Sequence, residues 1–212
     1  MVASANEPQP GRAGGTLVCV GGVPGAGKTT VGALVAAAGG MCLVDLDSVT
    51  TPLVEALAAS LGEAADLDAP RFAALRGARY ACLAEVVADN LRAGRDVVAV
   101  APFTSEAADA VGWRRSGIGW GAAQVVLCWL DVDPEVMARR VAERALPRDL
   151  AKAGRHAPGG ETVGAPTASG MTTASGAVDP ARLIDRAGMD VVADGVRPPV
   201  ETCARILELV RR

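Results

Sequence analysis

One short stretch, residues 16–30, limits what this chain can fold into more than any other: it reads TLVCVGGVPGAGKTT. Residues 16–20 are apolar or β-branched, which is typical of a strand buried on both faces of a sheet. A segment rich in alanine and valine, residues 28–38, follows and predicts a helix. The glycines between the two segments allow a backbone with positive φ. The stretch therefore predicts a strand, a tight turn and a helix in direct succession.

The turn has the spacing G-x-x-x-x-G-K-[ST], known as the Walker A motif. Successive N–H groups of such a turn, next to a helix N-terminus, attract an anion. We predict that Lys28 reaches the β- and γ-phosphates of ATP and that the Thr29 hydroxyl binds Mg²⁺. The alternative, a glycine-rich turn that binds nothing, leaves these two side chains without a purpose. The predicted nucleotide-binding residues of the loop are Gly22, Val23, Pro24, Gly25, Ala26, Gly27, Lys28, Thr29 and Thr30.

A second apolar run, residues 41–44, ends in the acidic sequence Asp45-Leu46-Asp47. Chemistry in open α/β sheets gathers at the carboxyl ends of strands, and alternation along an extended chain predicts that both carboxylates point the same way. The third predicted strand, residues 96–101, lacks the acid that usually closes a Walker B strand, so metal binding is predicted to fall to Asp45. The alternative is that Asp47 or Ser48 only caps the next helix.

The remaining elements alternate between helix and strand, which predicts a parallel, doubly wound sheet. Asp133 followed by Pro134 marks a helix start, and Gly117, Gly119 and Gly121 predict a break before the fourth strand. The predicted helices are 52–61, 71–93, a segment from Thr104 or Ser105 to about residue 115, a segment from residue 134, and 199–212; the last strands are 123–130 and 191–192.

A basic stripe of Arg71, Arg76 and Arg79 runs along the helix predicted at 71–93, beside Tyr80. Such a stripe can bind an anionic substrate, although arginines of this kind more often form a solvated face. We predict Arg79 and Thr104 as contacts to the molecule that accepts the phosphate.

Composition narrows the class of protein. A net charge of −3 argues against a general nucleic-acid binder. No stretch approaches the roughly 20 apolar residues of a membrane span, and residues 1–14 lack the apolar centre of a signal peptide. We expect a cytoplasmic protein with a disordered leader at 1–14 and one domain at 15–212. Residues 151–180 are rich in Gly, Ala, Ser, Thr and Pro, which predicts an insert that cannot order itself.

The GVPGAGKTT loop, the DLD after the second strand and the R-x-x-x-R-x-x-x-R run after the fourth resemble the small P-loop kinases. This group includes shikimate, gluconate and adenylylsulfate kinases, chloramphenicol phosphotransferase and the nucleoside monophosphate kinases. The resemblance implies a P-loop NTPase fold with five parallel strands in the order 2-3-1-4-5, helices on both faces and a lid.

The same resemblance implies roles for single residues. In the shikimate-type members, the first Asp of D-x-D helps to hold Mg²⁺ and the second acts on the acceptor hydroxyl, which assigns these roles to Asp45 and Asp47. In the monophosphate kinases, one arginine of the helix that enters the lid stacks on adenine and others hold phosphates. By that likeness Arg140 stacks, while Arg144 and Arg148 bind phosphate.

These observations predict an ATP-dependent kinase that phosphorylates a hydroxyl, or a phosphate, of a small molecule. Two alternatives stay open: an ATPase or nucleotide-dependent switch, and a toxin-like kinase that acts on a nucleotide sugar. The guanine motif N-K-x-D of GTPases is absent from the sequence, and the third predicted strand lacks the Walker B acid that an ATPase motor would be expected to carry there.

Overall fold

The structure is a computed structural model that describes residues 14–63, 72, 74–144 and 183–211. Five strands and six α-helices alternate along this part of the chain, with two short 3-10 helices at Glu106–Ala108 and Arg186–Gly188. The strands are β1 Thr16–Gly22, β2 Cys42–Asp45, β3 Val97–Val100, β4 Gln124–Asp131 and β5 Val191–Asp194. The helices are α1 Lys28–Gly39, α2 Leu46–Ser60, α3 Leu75–Arg92, α4 Ala110–Gly119, α5 Pro134–Arg144 and α6 Pro199–Val210.

All five strands lie in one parallel sheet in the order β2-β3-β1-β4-β5. The predicted fold class and strand order are confirmed. The central strand β1 pairs with β3 on one side and β4 on the other, and every one of its residues is buried. Burial on both faces explains why its sequence is continuously apolar instead of alternating.

The sheet divides the core into two layers because successive side chains of a strand point to opposite faces. Leu17 and Cys19 of β1 pack with α3 and α4 on one face, and Val18 and Val20 pack with α1 and α6 on the other. Each fully buried aliphatic side chain of this kind stabilises the fold by about 1.5–3 kcal/mol. Helices therefore cover both faces, and the carboxyl ends of the strands meet at one edge.

Two predicted helices have different bounds in the structure. The helix predicted at 52–61 begins at Leu46, because Asp45 caps it, and Pro52 lies inside it on the exposed side. The single helix predicted from Thr104 or Ser105 is instead a 3-10 turn followed by α4, whose N-cap is Asp109.

The glycine break before β4 is also shorter than predicted. Gly117 and Gly119 lie inside α4, and the turn comes at Gly121, which has a φ of 102°. By contrast, the predicted start of α5 is confirmed, because the Glu135 N–H donates to Asp133 Oδ1 at 2.8 Å. In the part of the chain that the structure describes, no helix is both long enough and apolar enough to cross a bilayer.

The predicted leader at 1–14 lies almost wholly outside the described residues, and so do the insert at 151–180 and most of the expected lid. The boundaries of these segments stay predictions.

Candidate functional site

The loop between β1 and α1 presents backbone N–H groups at the carboxyl edge of the sheet. Gly27 is the N-cap of α1 and has a left-handed φ of 87°, a conformation that a side chain would strain. No described side chain caps α1, so its first amides face the loop. The loop also touches the exit of β3, since the Gly22 N–H donates to the Pro102 carbonyl at 3.2 Å.

Lys28 folds back over this loop. Its Nζ donates to the Val23 carbonyl at 2.8 Å, across the glycine-rich turn. The ammonium group therefore lies beside the turn and not in bulk solvent. A point charge in this position adds to the partial positive charge of the α1 N-terminus.

Asp45 connects the loop to β2. Its Oδ2 accepts a hydrogen bond from Thr29 Oγ1 at 3.0 Å, and its Oδ1 accepts from the Asp47 and Ser48 N–H groups at 2.9 and 3.4 Å. One oxygen thus caps α2 while the other faces the first turn of α1. The side chain is only 8% exposed. This arrangement brings together a hydroxyl and a carboxylate oxygen, which are hard donors of the kind that Mg²⁺ prefers.

The reason for expecting Asp45 and Asp47 to point the same way, an extended chain through both residues, does not hold. The extended chain ends at Asp45, and Asp47 lies in the first turn of α2, where the two-residue alternation of a strand no longer holds. The cap alternative also needs correction, because Asp45 caps the helix and Asp47 and Ser48 supply the capped N–H groups.

Asp47 is paired with α3 across the site. Arg79 donates from one Nη to Asp47 Oδ1 at 2.7 Å and from Nε to Thr50 Oγ1 at 2.8 Å. The Arg79 side chain is 13% exposed and that of Asp47 is 45% exposed. The Arg79 side chain, which is largely buried, therefore fixes the Asp47 carboxylate, which solutes can still reach.

A further set of residues, which we call the α3 wall, continues from Arg79 towards the exit of β3. It consists of Arg76, Tyr80, Phe103, Ser105 and Glu106. Arg76 stacks on the Tyr80 ring at 4.6 Å and donates to Ser105 Oγ at 3.2 Å, and it lies 3.6 Å from Glu106 Oε2.

Tyr80 holds the chain at the end of β3. The Phe103 N–H donates to its hydroxyl oxygen at 2.9 Å, and Phe103 has a φ of 49° although it is fully buried. Such a backbone costs about 1–3 kcal/mol and persists only where the surroundings impose it. Burial raises the pKa of the Tyr80 phenol, and the Glu106 carboxylate raises it further, so the hydroxyl keeps its proton.

Arg140 of α5 contacts the loop backbone from the other side. One Nη donates to the carbonyls of Gly25 at 3.1 Å and Gly195 at 2.9 Å. The guanidinium thus joins three elements: the β1–α1 loop, α5 and the turn after β5. Its hydrogen bonds there are with backbone carbonyls, and its predicted stacking on adenine stays a prediction.

The profile of the family described as AAA domain matches residues 17–157, about two thirds of the chain. The chain belongs to this AAA-domain family. No curated protein sequence matches the chain. The match includes the loop, both aspartates and the arginines of α3 and α5.

Several solved structures with a similar fold are named as kinases of small molecules. A gluconokinase from Sinorhizobium meliloti 1021 aligns over 95% of this chain and 94% of that chain, with a TM-score of 0.52 and 18% identity. A sugar kinase from Janibacter sp. HTCC2649 covers 92% and 93%, with a TM-score of 0.54 and 21% identity. The APS kinase from Mycobacterium tuberculosis, in complex with AMPPNP and APS, covers 94% and 99%, with a TM-score of 0.57 and 18% identity. At these identities the likeness concerns the fold, which is that of a P-loop kinase.

The other predicted site residues of the AAA-domain protein are Thr30, Thr104, Arg71, Arg144 and Arg148. Thr30 is exposed on α1 and Thr104 is half-buried after β3. Arg144 ends α5, but its side chain, together with Arg148 and Arg71, lies outside the described part of the structure. The roles of all these residues stay predictions.

Sequence reasoning missed the support that the loop receives from the β4 and β5 ends. A Cβ on Gly195 would lie 2.5 Å from the Ala26 carbonyl oxygen, so only glycine fits against the loop there. The Gly195 N–H also donates to the Asp131 carbonyl at 2.6 Å. The signal was the short sequence Asp194-Gly195 directly after a strand, which is too common to single out on its own.

Asp131 in turn holds the 3-10 helix that precedes β5. Arg186 donates to both carboxylate oxygens, at 2.7 and 2.8 Å, and Trp129 Nε1 donates to Oδ1 at 2.9 Å. The bonds from Arg186 hold the pKa of the Asp131 carboxyl below its usual value, with Trp129 acting in the same direction. The pair thus fixes the 3-10 helix Arg186–Gly188 against the end of β4.

Replacing Asp131 with asparagine is expected to lower the melting temperature at pH 7 by about 1–4 °C, since half-exposed ion pairs contribute little. A lowered carboxyl pKa gives stability that is present at neutral pH and lost on acidification below about pH 4. The difference from wild type should therefore shrink from pH 7 to pH 3. Glu201→Gln, which removes an exposed pair with Arg197 at 3.5 Å, is the matched control. A difference that is constant with pH would show that the charge of Asp131 contributes nothing.

Proposed function

We propose that this AAA-domain protein is an ATP-dependent kinase that transfers the γ-phosphoryl group to a hydroxyl, or to a phosphate, of a small molecule. One observation carries the proposal. The Thr29 hydroxyl and the Asp45 carboxylate meet at 3.0 Å beside the phosphate loop, and Asp47, held by Arg79, lies two residues beyond Asp45 in the first turn of α2. A nucleotide site and an acceptor site therefore adjoin, as phosphoryl transfer requires.

The proposed nucleotide site is the loop from Gly22 to Thr30 together with Lys28 and Arg140. The loop amides and the α1 N-terminus supply partial positive charge to the phosphates, and the Lys28 ammonium is within the same turn. The fold is shared with an APS kinase whose structure contains AMPPNP, which supports an adenine nucleotide. By likeness to the monophosphate kinases, we propose that Arg140 adjoins the base and that Arg144 and Arg148 stabilise charge on the transferred group.

Thr29 and Asp45 fit a magnesium ion. Their donor atoms are a hydroxyl and a carboxylate oxygen, and Mg²⁺ is commonly held by one or two such groups together with substrate phosphates. When bound, the ion would supply positive charge that offsets the negative charge of the phosphates. The protein contributes the fixed orientation of Asp45, whose other oxygen is held by two backbone N–H groups.

Asp47 is proposed to position the acceptor and to take its proton. The acceptor oxygen bonds to the γ-phosphorus, the bond from that phosphorus to the β–γ bridging oxygen breaks, and ADP leaves with that oxygen. The proton of the acceptor hydroxyl passes to the Asp47 carboxylate. Arg79 is a positioning residue, because it holds Oδ1 at 2.7 Å and is itself held by Thr50. Thr104 is proposed as a further acceptor contact.

The experiment that tests this function is a screen for acceptor-dependent formation of ADP. Purified protein with ATP and Mg²⁺ is offered sugars, nucleosides, nucleotide sugars, antibiotics and other small metabolites. We expect at least one compound to raise ADP formation well above the rate without acceptor. A rate that no compound changes would favour the ATPase or switch alternative, and turnover of nucleotide sugars alone would favour the toxin-like kinase. We also propose a cytoplasmic location and no dependence on nucleic acid or membrane.

Replacing Asp45 with asparagine is expected to raise the free Mg²⁺ concentration needed for half-maximal activity by about tenfold or more, since the charge at the metal is lost. Asparagine caps helices as well as aspartate does, so α2 should stay intact. Activity is measured against free Mg²⁺ at saturating ATP, with Ser48→Ala as the control because that change leaves the capped N–H in place. An unchanged Mg²⁺ requirement would leave Asp45 with a capping role alone.

A further inference from the structure

Helix α3 carries two arginines one turn apart, Arg79 and the Arg76 of the α3 wall, and each is already matched by a carboxylate. Arg79 lies 2.7 Å from Asp47 Oδ1, and Arg76 lies 3.6 Å from Glu106 Oε2. The first pair includes Asp47, where the acceptor is proposed to bind, and the second lies one turn of α3 away from it. The basic stripe that the sequence suggested as an anion site is, over Arg76 and Arg79, balanced in charge.

In the second pair, contacts with other residues of the α3 wall hold the Arg76 side chain in place beside Glu106. Arg76 is fixed against the Tyr80 ring at 4.6 Å and against Ser105 Oγ at 3.2 Å, on the side where the chain leaves β3. Glu106 Oε2 is enclosed, and none of the described residues donates a hydrogen bond to it. The Glu106 side chain as a whole is 30% exposed, so only this one oxygen is kept from solvent, and an anion that approached Arg76 would also meet the negative charge of Glu106 at close range.

We propose that the acceptor is an uncharged, hydroxyl-bearing molecule, and that Glu106 is the specificity-determining residue that disfavours acceptors with a phosphate or carboxylate group at the α3 wall. This inference rests on the proposed function and narrows it. It removes the phosphate alternative for the acceptor group.

The physical reason is that an anion at Arg76 would also come close to Glu106. Like charges at a recognition site cost more than a surface ion pair returns, so one acid can reject a class of ligand. If Arg76 paired with a bound anion instead of Glu106, the enclosed Glu106 oxygen would also lose its counter-charge. A neutral molecule meets neither cost and can bond through hydroxyl groups to Asp47, Ser105 and Thr104.

Matched acceptor pairs test the inference by turnover. Each neutral compound is assayed beside an anionic analogue: glucose with gluconate, ribose with ribose 5-phosphate, and adenosine with AMP. In each pair that is turned over, kcat/KM for the neutral member should exceed that of the anion by about tenfold or more. Glu106→Gln should narrow this ratio by about tenfold, whereas Glu201→Gln, at an exposed pair on α6, should leave it unchanged. A preference for the anions, or a ratio that Glu106→Gln leaves unchanged, overturns the inference.

A binding measurement separates this inference from the proposed function. With AMPPNP and Mg²⁺ filling the nucleotide site, inorganic phosphate should leave the melting temperature of the wild type unchanged and raise that of Glu106→Gln. Equal stabilisation of both proteins by phosphate overturns the charge-selective wall, whether or not any acceptor is turned over. Failure of every pair to turn over, with the phosphate result as expected, contradicts the kinase function and leaves the wall supported.

Discussion

Replacing Lys28 with alanine is expected to lower phosphoryl transfer by about 10³-fold or more, to the limit of detection. Its ammonium group lies over the loop, with Nζ 2.8 Å from the Val23 carbonyl, and its charge is needed most when negative charge shifts in the transition state. The chain's lysines are Lys28 and Lys152, so no lysine lies next to Lys28 along the chain to replace it. Steady-state kcat with an accepted substrate is the quantity to measure.

The Lys28 variant should stay folded. It loses the hydrogen bond to Val23, which costs about 1 kcal/mol, and the melting temperature should fall by no more than about 2–4 °C. Lys28→Arg is the matched variant: it keeps the charge but replaces a compact ammonium by a planar fork, and most activity should still be lost. Turnover of Lys28→Ala within about threefold of wild type would count against the whole functional account.

Replacing Asp47 with asparagine is expected to lower kcat by about 10²-fold or more while the affinity for ATP stays nearly unchanged. The change keeps the shape of the side chain and its bond from Arg79, but removes the base that takes the acceptor proton. Asp47 belongs to α2 and not to the phosphate loop, which is why nucleotide binding should be spared.

Asp45→Asn is the comparison that gives the Asp47 result its meaning. The two aspartates are two residues apart, yet one caps α2 and faces Thr29 while the other pairs with Arg79. We expect a raised Mg²⁺ requirement from the first change and a lowered kcat from the second. Equal and mild effects of both would mean that the aspartates only support the structure.

The β1–α1 loop, which is the proposed nucleotide site, could be located from the sequence because its signals are local. The Walker A spacing between an apolar run and a helix fixes the loop within 15 consecutive residues, and Asp133 followed by Pro134 fixes the start of α5. The order of the strands followed from the family resemblance and is confirmed.

The acceptor half could be predicted only in part because its contacts are distant in sequence. Asp47 and Arg79 are 32 residues apart, and Arg76 and Ser105 are 29 apart. No short-range sequence pattern predicts contacts between residues so far apart in the chain. The helix predicted from Thr104 is interrupted at Asp109, which ends the 3-10 helix and caps α4. The left-handed Phe103 lies just before this segment, and its N–H is held by Tyr80 from another element. Tertiary packing therefore decided both the bounds of these elements and the charge balance of the α3 wall.

The most direct test of the central claim follows the γ-phosphoryl group itself. Protein is incubated with Mg²⁺, ATP labelled at the γ-phosphate and the acceptor found in the screen, and the products are separated. If the protein is a kinase of a small molecule, the label appears in a phosphorylated small molecule in a one-to-one ratio with ADP, and Lys28→Ala yields neither product. Label that appears only as inorganic phosphate, at a rate the acceptor does not change, would contradict it.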